Sequence, residues 1–159
     1  MFEEALERSP QFITAIVGLA RTHIEDATYG WSVDRKASET EAKRLLDGAL
    51  SLNPGHALAY MELAHLLMVQ RRFEDGRKSA EKAIFIDPTL GDAYHVLAIL
   101  LVCLGEGKEA LRYGRDALRL NPGAPEFYLI AVAEAHILLK QFGDALPYIQ
   151  RIEARRPQW

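Results

Sequence analysis

Prolines mark this chain at a nearly fixed interval. Pro54 to Pro88 and Pro88 to Pro122 are each 34 residues, Pro122 to Pro157 is 35, and Pro10 to Pro54 is 44. Five residues before each proline stands an alanine or its substitute: Ala5, Ala49, Ala83, Ala117 and Ile152. Tyr60, Tyr94 and Tyr128 keep the same interval, and the first two lead into Leu63-Ala64 and Leu97-Ala98. A period of this length is one supersecondary unit written several times, so the chain must stack like units rather than build one irregular core.

The unit is a pair of helices. Tyr60, Leu63, Ala64, Leu67 and Met68 fall at helical spacing, as do Ala80, Ala83 and Ile84 and, more loosely, Ile86. "VQRRFEDG" and "CLGEGKEA" are polar breaks between helices. The residue before a proline is pushed out of the helical region, so Asn53, Asp87 and Asn121 mark helix ends. Small residues at Ala64, Gly76, Ala80 and Ala83 let two antiparallel helices approach closely. One pair cannot bury its apolar face alone, which forces pairs to stack.

The pattern resembles the tetratricopeptide repeat (TPR) family. The second full repeat carries Tyr60, Leu63, Ala64, Leu67, Gly76, Ala80, Ala83 and Pro88, and the third carries Tyr94, Leu97, Ala98, Leu101, Ala110, Gly114, Ala117 and Pro122. The fourth is looser, with Tyr128, Ala145, Ile149, Ile152 and Pro157, and an extra residue assigned to its first helix. The resemblance implies an all-α fold, an α-solenoid of antiparallel helix pairs wound as a right-handed superhelix. It divides a single domain, residues 1–159, into a trailing half repeat over 1–10, a long first repeat over 11–54, and repeats over 55–88, 89–122 and 123–157.

Two departures from the pattern carry expectations of their own. The first repeat is ten residues too long. A helix over roughly 11–27 is expected, then a loop "TYGWSVDRKAS" with Tyr29 and Trp31 packed back onto the solenoid, then a second helix from near Glu39. The opening "MFEEALERSP" reads as the end of a repeat, with Phe2, Ala5, Leu6 and Pro10 in place, which suggests a chain excised from a longer protein. The long first repeat and the segment "APEFYLIAVAEAHILLKQFGDALPYIQRI" are similar to TPR segments that follow the catalytic domain of bacterial class III adenylate/guanylate cyclases. Related segments occur in bacterial transcriptional regulators. No cyclase domain lies in this chain, so the resemblance brings no catalytic residue with it.

Composition narrows the partners. With 19 basic and 22 acidic side chains the net charge is −3, which gives no field for a polyphosphate, and nucleic acid is not an expected partner. The longest apolar run, "VLAILLVCL", is nine residues and too short to span a bilayer. Cys103 is the only cysteine, so no intrachain disulfide can form, and a soluble cytoplasmic protein is the expectation.

Candidate catalytic features are few. "GEG" at 105–107 lacks the preceding strand of a phosphate loop and suits a turn between helices. Cys103 sits in apolar "LLVCLG", a setting that raises a thiol's pKa. Serines, histidines and aspartates are scattered with no nucleophile elbow. Pro147 is expected just past the first turn of the last helix, bending it. His65 and His95, with Asp92 nearby, could begin a metal or ligand-sensing site, but zinc wants three or four convergent ligands and no tight His pair exists. No cofactor and no enzymatic activity are expected.

The resemblance assigns partner binding to the concave face lined by the first helix of each repeat. Carried onto this sequence, that face holds Val17, Arg21 and Ile24, then Leu58, Met61, His65, Met68 and Val69, then Asp92, His95, Ile99, Val102 and Cys103, then Glu126, Leu129 and Ala133. The Lys, Asn and Arg clamp with which some TPR proteins grip a peptide's terminal carboxylate is absent. A mostly apolar groove with two methionines suits a helix or an apolar peptide. The last helix keeps Leu146, Ile149 and Ile152 at spacings of three with only seven residues after it, so an open apolar end, covered by a second copy of the chain unless Trp159 folds back, is the rival expectation.

Overall fold

The computed structural model describes residues 12–155. Among them are eight helices and no strand: α1 Ile13–Tyr29, α2 Arg35–Leu52, α3 Ala57–Val69, α4 Phe73–Ile86, α5 Gly91–Cys103, α6 Gly107–Leu120, α7 Phe127–Leu138 and α8 Phe142–Arg155. The proposed half repeat at 1–10, with Phe2, Ala5, Leu6 and Pro10, lies outside the described residues, as do Pro157 and Trp159.

Helix ends follow the pre-proline rule. Asn53, Asp87 and Asn121 are the C-caps of α2, α4 and α6, each in extended or near-extended geometry, and each donates its N–H to the alanine carbonyl four residues back, Ala49, Ala83 and Ala117. Turns inside each pair use a left-handed residue. Arg71 (φ 57°), Gly105 (φ 82°) and Lys140 (φ 60°) hold the same place in three successive repeats. Glycine enters that region without strain, while arginine and lysine do so at a cost. Gly105 therefore belongs to turn geometry, and Gly107 opens α6 with its Cα close to Leu139, 3.0 Å from where a Cβ would sit.

Chain contacts divide the molecule into two compact units, one running up to Asp87 and the other from Pro88. In the first unit α1 pairs with α2 and α3 with α4, and α3 packs on both helices of the first pair. Its core is Ile16, Val17, Ala20 and Ile24 from α1, Ala42, Leu45, Leu46 and Ala49 from α2, and Ala59 and Leu66 from α3. Alanines at the crossings allow the close approach, and the branched side chains between them supply the buried area. In the second unit α5 pairs with α6 and α7 with α8, and α7 packs on both helices of the preceding pair. Val132 of α7 reaches so far into α6 that a Cβ on Gly114 would stand 2.9 Å from its Cγ2.

The long first repeat differs from the expectation. Its ten extra residues do not form a packed loop. Compared with the 13- and 14-residue helices of the next repeat, α1 has 17 and α2 has 18, and the connection is five residues instead of three. The Thr28 hydroxyl donates to the Ile24 carbonyl and keeps α1 going, Gly30 (φ 69°) ends it, and the Asp34 carboxylate accepts the Ala37 N–H to start α2 early. Tyr29 and Trp31 consequently stack on each other, centroids 4.9 Å apart, at 64% and 70% exposure rather than on the core.

The fourth repeat also shifts. Its extra residue falls in the first helix: Tyr128 keeps the 34-residue interval from Tyr94, while the left-handed Lys140 stands 35 residues after Gly105 across connections of equal length, and α7 has only 12 residues because it starts late. The connection before it, residues 121–126, is six residues long against four at 87–90. Pro122 and Pro125 both lie in that stretch, and the second holds Ala124 out of the helix. Pro147 is inside α8, past its first turn as expected.

Candidate functional site

Charge is distributed unequally between the two helices of each pair. The second helices carry ladders of surface ion pairs, such as Arg35 with Glu39 and Lys43 with Asp47 on α2 and Arg77 with Glu81 on α4. Pairs of this kind are worth little and mark a solvated face. Arg44, bonded to Glu41, holds that carboxyl below its ordinary range. Among the first helices α1 carries Arg21, Glu25 and Asp26, and the other three are almost uncharged. α3, α5 and α7 carry one carboxylate each, Glu62, Asp92 and Glu134.

Those three carboxylates have different surroundings. Asp92 accepts the phenolic hydrogen bond of Tyr128. Above that pair His95, 6% exposed, stacks on the Tyr128 ring at 4.3 Å and meets Phe127 at 5.0 Å. His95 is thus a packed member of an aromatic stack. Glu134 lies across from Cys103, and burial raises its pKa. Burial and then the Glu134 charge push the Cys103 thiol upward, which keeps it protonated and weakly nucleophilic at neutral pH. Glu62 is the most enclosed, at 2% exposure. Its Oε1 lies 3.8 Å from Arg21 Nη1 and its Oε2 3.6 Å from His65 Nδ1. Oε2 is shut off from solvent and has no hydrogen bond.

The residues assigned to the concave face separate into two groups. Val17 and Ile24, at 1% and 0% exposure, belong to the core of the first unit and are not open to a partner. They follow the same 3.6-residue turn as Ala20, which points that stripe at α2 and α3. Met61, Leu129 and Ala133 are buried as well. On the first unit the accessible members are Arg21, Leu58, His65, Met68 and Val69, and on the second Asp92, Ile99, Val102, Cys103 and Glu126. Glu62 was not among the sequence candidates. Its signal was present in the repeat: 34 residues on, the equivalent position is Val96. Among the described residues no group of three His, Cys, Asp or Glu side chains is placed to hold a metal ion, and no helix is long and apolar enough to cross a membrane.

At the far end of the second unit the apolar surface is broader. Ile137 and Leu138 on α7 and Phe142 and Leu146 on α8 are 42–63% exposed. Ile149 and Ile152 are half-buried.

Comparison with known proteins supports the repeat assignment. Residues 39–100 match the family model for the tetratricopeptide repeat. The inactive TPR repeat-containing thioredoxin TTL3 of Arabidopsis thaliana is 35% identical over 79 residues, which is 50% of this chain and 11% of that protein. The chain therefore spans about a tenth of the length of that relative. Among solved structures, a thermophilic TPR protein of Thermus thermophilus superposes with a TM-score of 0.78 at 20% identity, covering 99% of this chain and 80% of the other. YrrB, described as a TPR protein with an unusual peptide-binding site, gives a TM-score of 0.69 at 20% identity, covering 99% and 75%. The fold is the all-α helix-pair fold of TPR proteins.

Proposed function

We propose that the chain is a non-catalytic scaffold for protein–protein contacts, taking a helix or apolar peptide on the faces of its first helices. The observation that carries this reading is the contrast between helices. The second helices turn ion-pair ladders to water, while α3 and α5 leave Leu58, Met68, Ile99 and Val102 only half-buried on nearly uncharged surface. Surface of that kind suits an amphipathic helix, whose anchors at i, i+3, i+4 and i+7 need apolar seats. That YrrB is described by its peptide-binding site favours the same use of the fold. The chemistry offered for catalysis is poor, since Cys103 is kept protonated and His95 is locked in a ring stack. The reading extends to context: a regulatory or assembly segment of a larger cytoplasmic bacterial signalling protein, such as an adenylate cyclase. To test it, helical peptides selected by display against the folded chain are titrated into wild type, Met68→Glu and Ile99→Glu. Loss of binding in at least one variant with unchanged helicity supports the reading. Equal binding by all three refutes it.

A second reading, association of two copies of the chain, is favoured by the exposed cluster of Ile137, Leu138, Phe142 and Leu146. Sedimentation at about 100 μM distinguishes it, because a Kd tighter than that corresponds to about −5.5 kcal/mol and yields a visible dimer. Wild-type dimer lost in Phe142→Glu supports this reading, and a monomeric wild type removes it.

A further inference from the structure

The buried carboxylate on α3 is not needed by the fold. One repeat later the same position is Val96, and helix pairing there is unaffected. A charge taken out of water is costly unless it is paired and hydrogen-bonded, and Glu62 is neither fully. Arg21 donates from Nε to Glu25 Oε1 at 3.0 Å, so its close partner is Glu25, and its Nη1 stays 3.8 Å from Glu62. His65 Nδ1, at 3.6 Å, is beyond hydrogen-bond reach of Oε2. Within this group of four side chains, two carboxylates face one permanent cation. Glu62 Oε2 is left without a hydrogen-bond donor.

We infer that Glu62 is the receiving group for a basic side chain of the protein partner, a guanidinium or an ammonium, with His65 covering the carboxylate when no partner is bound. This deepens the scaffold reading and rests on it. His65 is the natural cover. It stands one turn along α3 from Glu62, its side chain is 25% exposed, and no hydrogen bond ties its Nδ1 to the carboxylate, so a rotamer change toward solvent uncovers Oε2. Leu58, Glu62, His65 and Val69 form one stripe of α3, at spacings of four, three and four. Leu58 and Val69 are half-buried apolar seats on either side of the charge. A peptide matching the stripe carries an apolar residue, a basic residue one turn on, and a further apolar residue. An arginine is the better fit, because its planar fork can address both carboxylate oxygens. A carboxylate-terminated or acidic ligand is disfavoured at this place.

The test uses two synthetic 16-residue amphipathic helical peptides, acetylated and amidated, identical except for arginine or its neutral isostere citrulline at the centre of the apolar face. Fluorescence anisotropy measures each against wild type, Glu62→Gln and Glu62→Val. The valine variant repeats what the fold already holds at the equivalent place, and it serves if glutamine disturbs folding by circular dichroism. The expected result is an arginine peptide at least ten-fold tighter than the citrulline peptide on wild type, with that ratio falling to near one in either variant. Equal binding of both peptides to wild type overturns the inference and leaves the scaffold reading in place. A ratio that survives in both variants also overturns it, since the preference then arises elsewhere. Failure of both peptides to bind at 1 mM overturns the inference together with the apolar-groove reading.

Discussion

The same substitution, glycine to alanine in a helix interior, should have opposite effects at Gly48 and Gly114. In α2 a Cβ on Gly48 meets nothing within 4 Å. Alanine there gains helix propensity and loses unfolded-state entropy, which together are worth about 0.5–1 kcal/mol. In α6 the Cβ on Gly114 would be 2.9 Å from Val132 Cγ2 and 3.8 Å from the Ala98 Cβ. Val132 is fully buried, and in a helix its β-branched side chain has essentially one rotamer, so Cγ2 cannot swing aside. The helices must separate by roughly 0.5 Å or more to reach ordinary contact, and overpacking of this kind costs about 1–3 kcal/mol. Set against the propensity gain, Gly114→Ala should lose about 1 kcal/mol while Gly48→Ala gains about the same. For a chain of this size the two variants should melt about 4–8 °C apart on either side of wild type. Thermal and urea melts followed by circular dichroism at 222 nm measure it. Adding Val132→Ala to Gly114→Ala should recover part of the loss relative to Val132→Ala alone, as a double-mutant cycle. If Gly114→Ala stabilises as much as Gly48→Ala, then α6 and α7 do not approach as closely as this reasoning requires.

Other outcomes follow from the same structure. Trp31→Ala should change stability by less than about 0.5 kcal/mol, because the ring is solvent-exposed and stacks on the exposed Tyr29, and a loss above about 2 kcal/mol would show that it packs on the core. Arg71→Gly should stabilise by a few tenths to about 1 kcal/mol by relieving a left-handed residue, and Gly105→Arg should destabilise by a similar amount, both read from urea midpoints. Burial raises the Glu134 pKa in the folded chain, so the folded state holds its proton more tightly than the unfolded one. Stability then falls as pH rises from the ordinary glutamate range through that raised pKa. Glu134→Gln should flatten this decline and melt higher than wild type at pH 7 but not at pH 3. Glu134 is exposed at the surface and only partly desolvated, so the effect should be small, and an unchanged pH profile would count against that desolvation.

What the sequence made legible is what the backbone itself dictates. Asn53, Asp87 and Asn121 end their helices because a proline follows, and no tertiary information is needed to see it. The small residues Ala64, Ala80, Ala83, Ala98, Ala110 and Ala117 are all fully buried at helix contacts, as the period implied. The first repeat was harder. Extra residues after α1 can extend helices or swell a loop, and the choice turned on three local devices: the Thr28 back-bond, the left-handed Gly30 and the Asp34 cap. Asp34 is a favoured N-cap residue, but Ala37 stands where a capping box would have Glu or Gln, so the signal in the sequence is partial. In the fourth repeat, Tyr128 keeps its interval although the connection before it is two residues longer, because α7 starts two residues later than α5 does relative to its tyrosine. Val17 stands one repeat before Met61 and both are buried, so this register position packs inward even in a repeat of ordinary length, while Ile24 is buried where its counterpart Met68 is half-open. Glu62 is not legible from the groove register, and its signal in the sequence is the contrast with Val96 at the equivalent place.

In the proposed scaffold the faces of the first helices, and not the charged second helices, receive a protein partner. Amide chemical-shift mapping of the isotope-labelled chain with a display-selected helical peptide tests this directly. Perturbations are expected at Arg21, Leu58, His65 and Met68, at Ile99 and Val102, or at both sets, with Lys43, Asp47, Arg77 and Glu81 unmoved. Perturbations confined to the ion-pair ladders of α2 and α4 would contradict it.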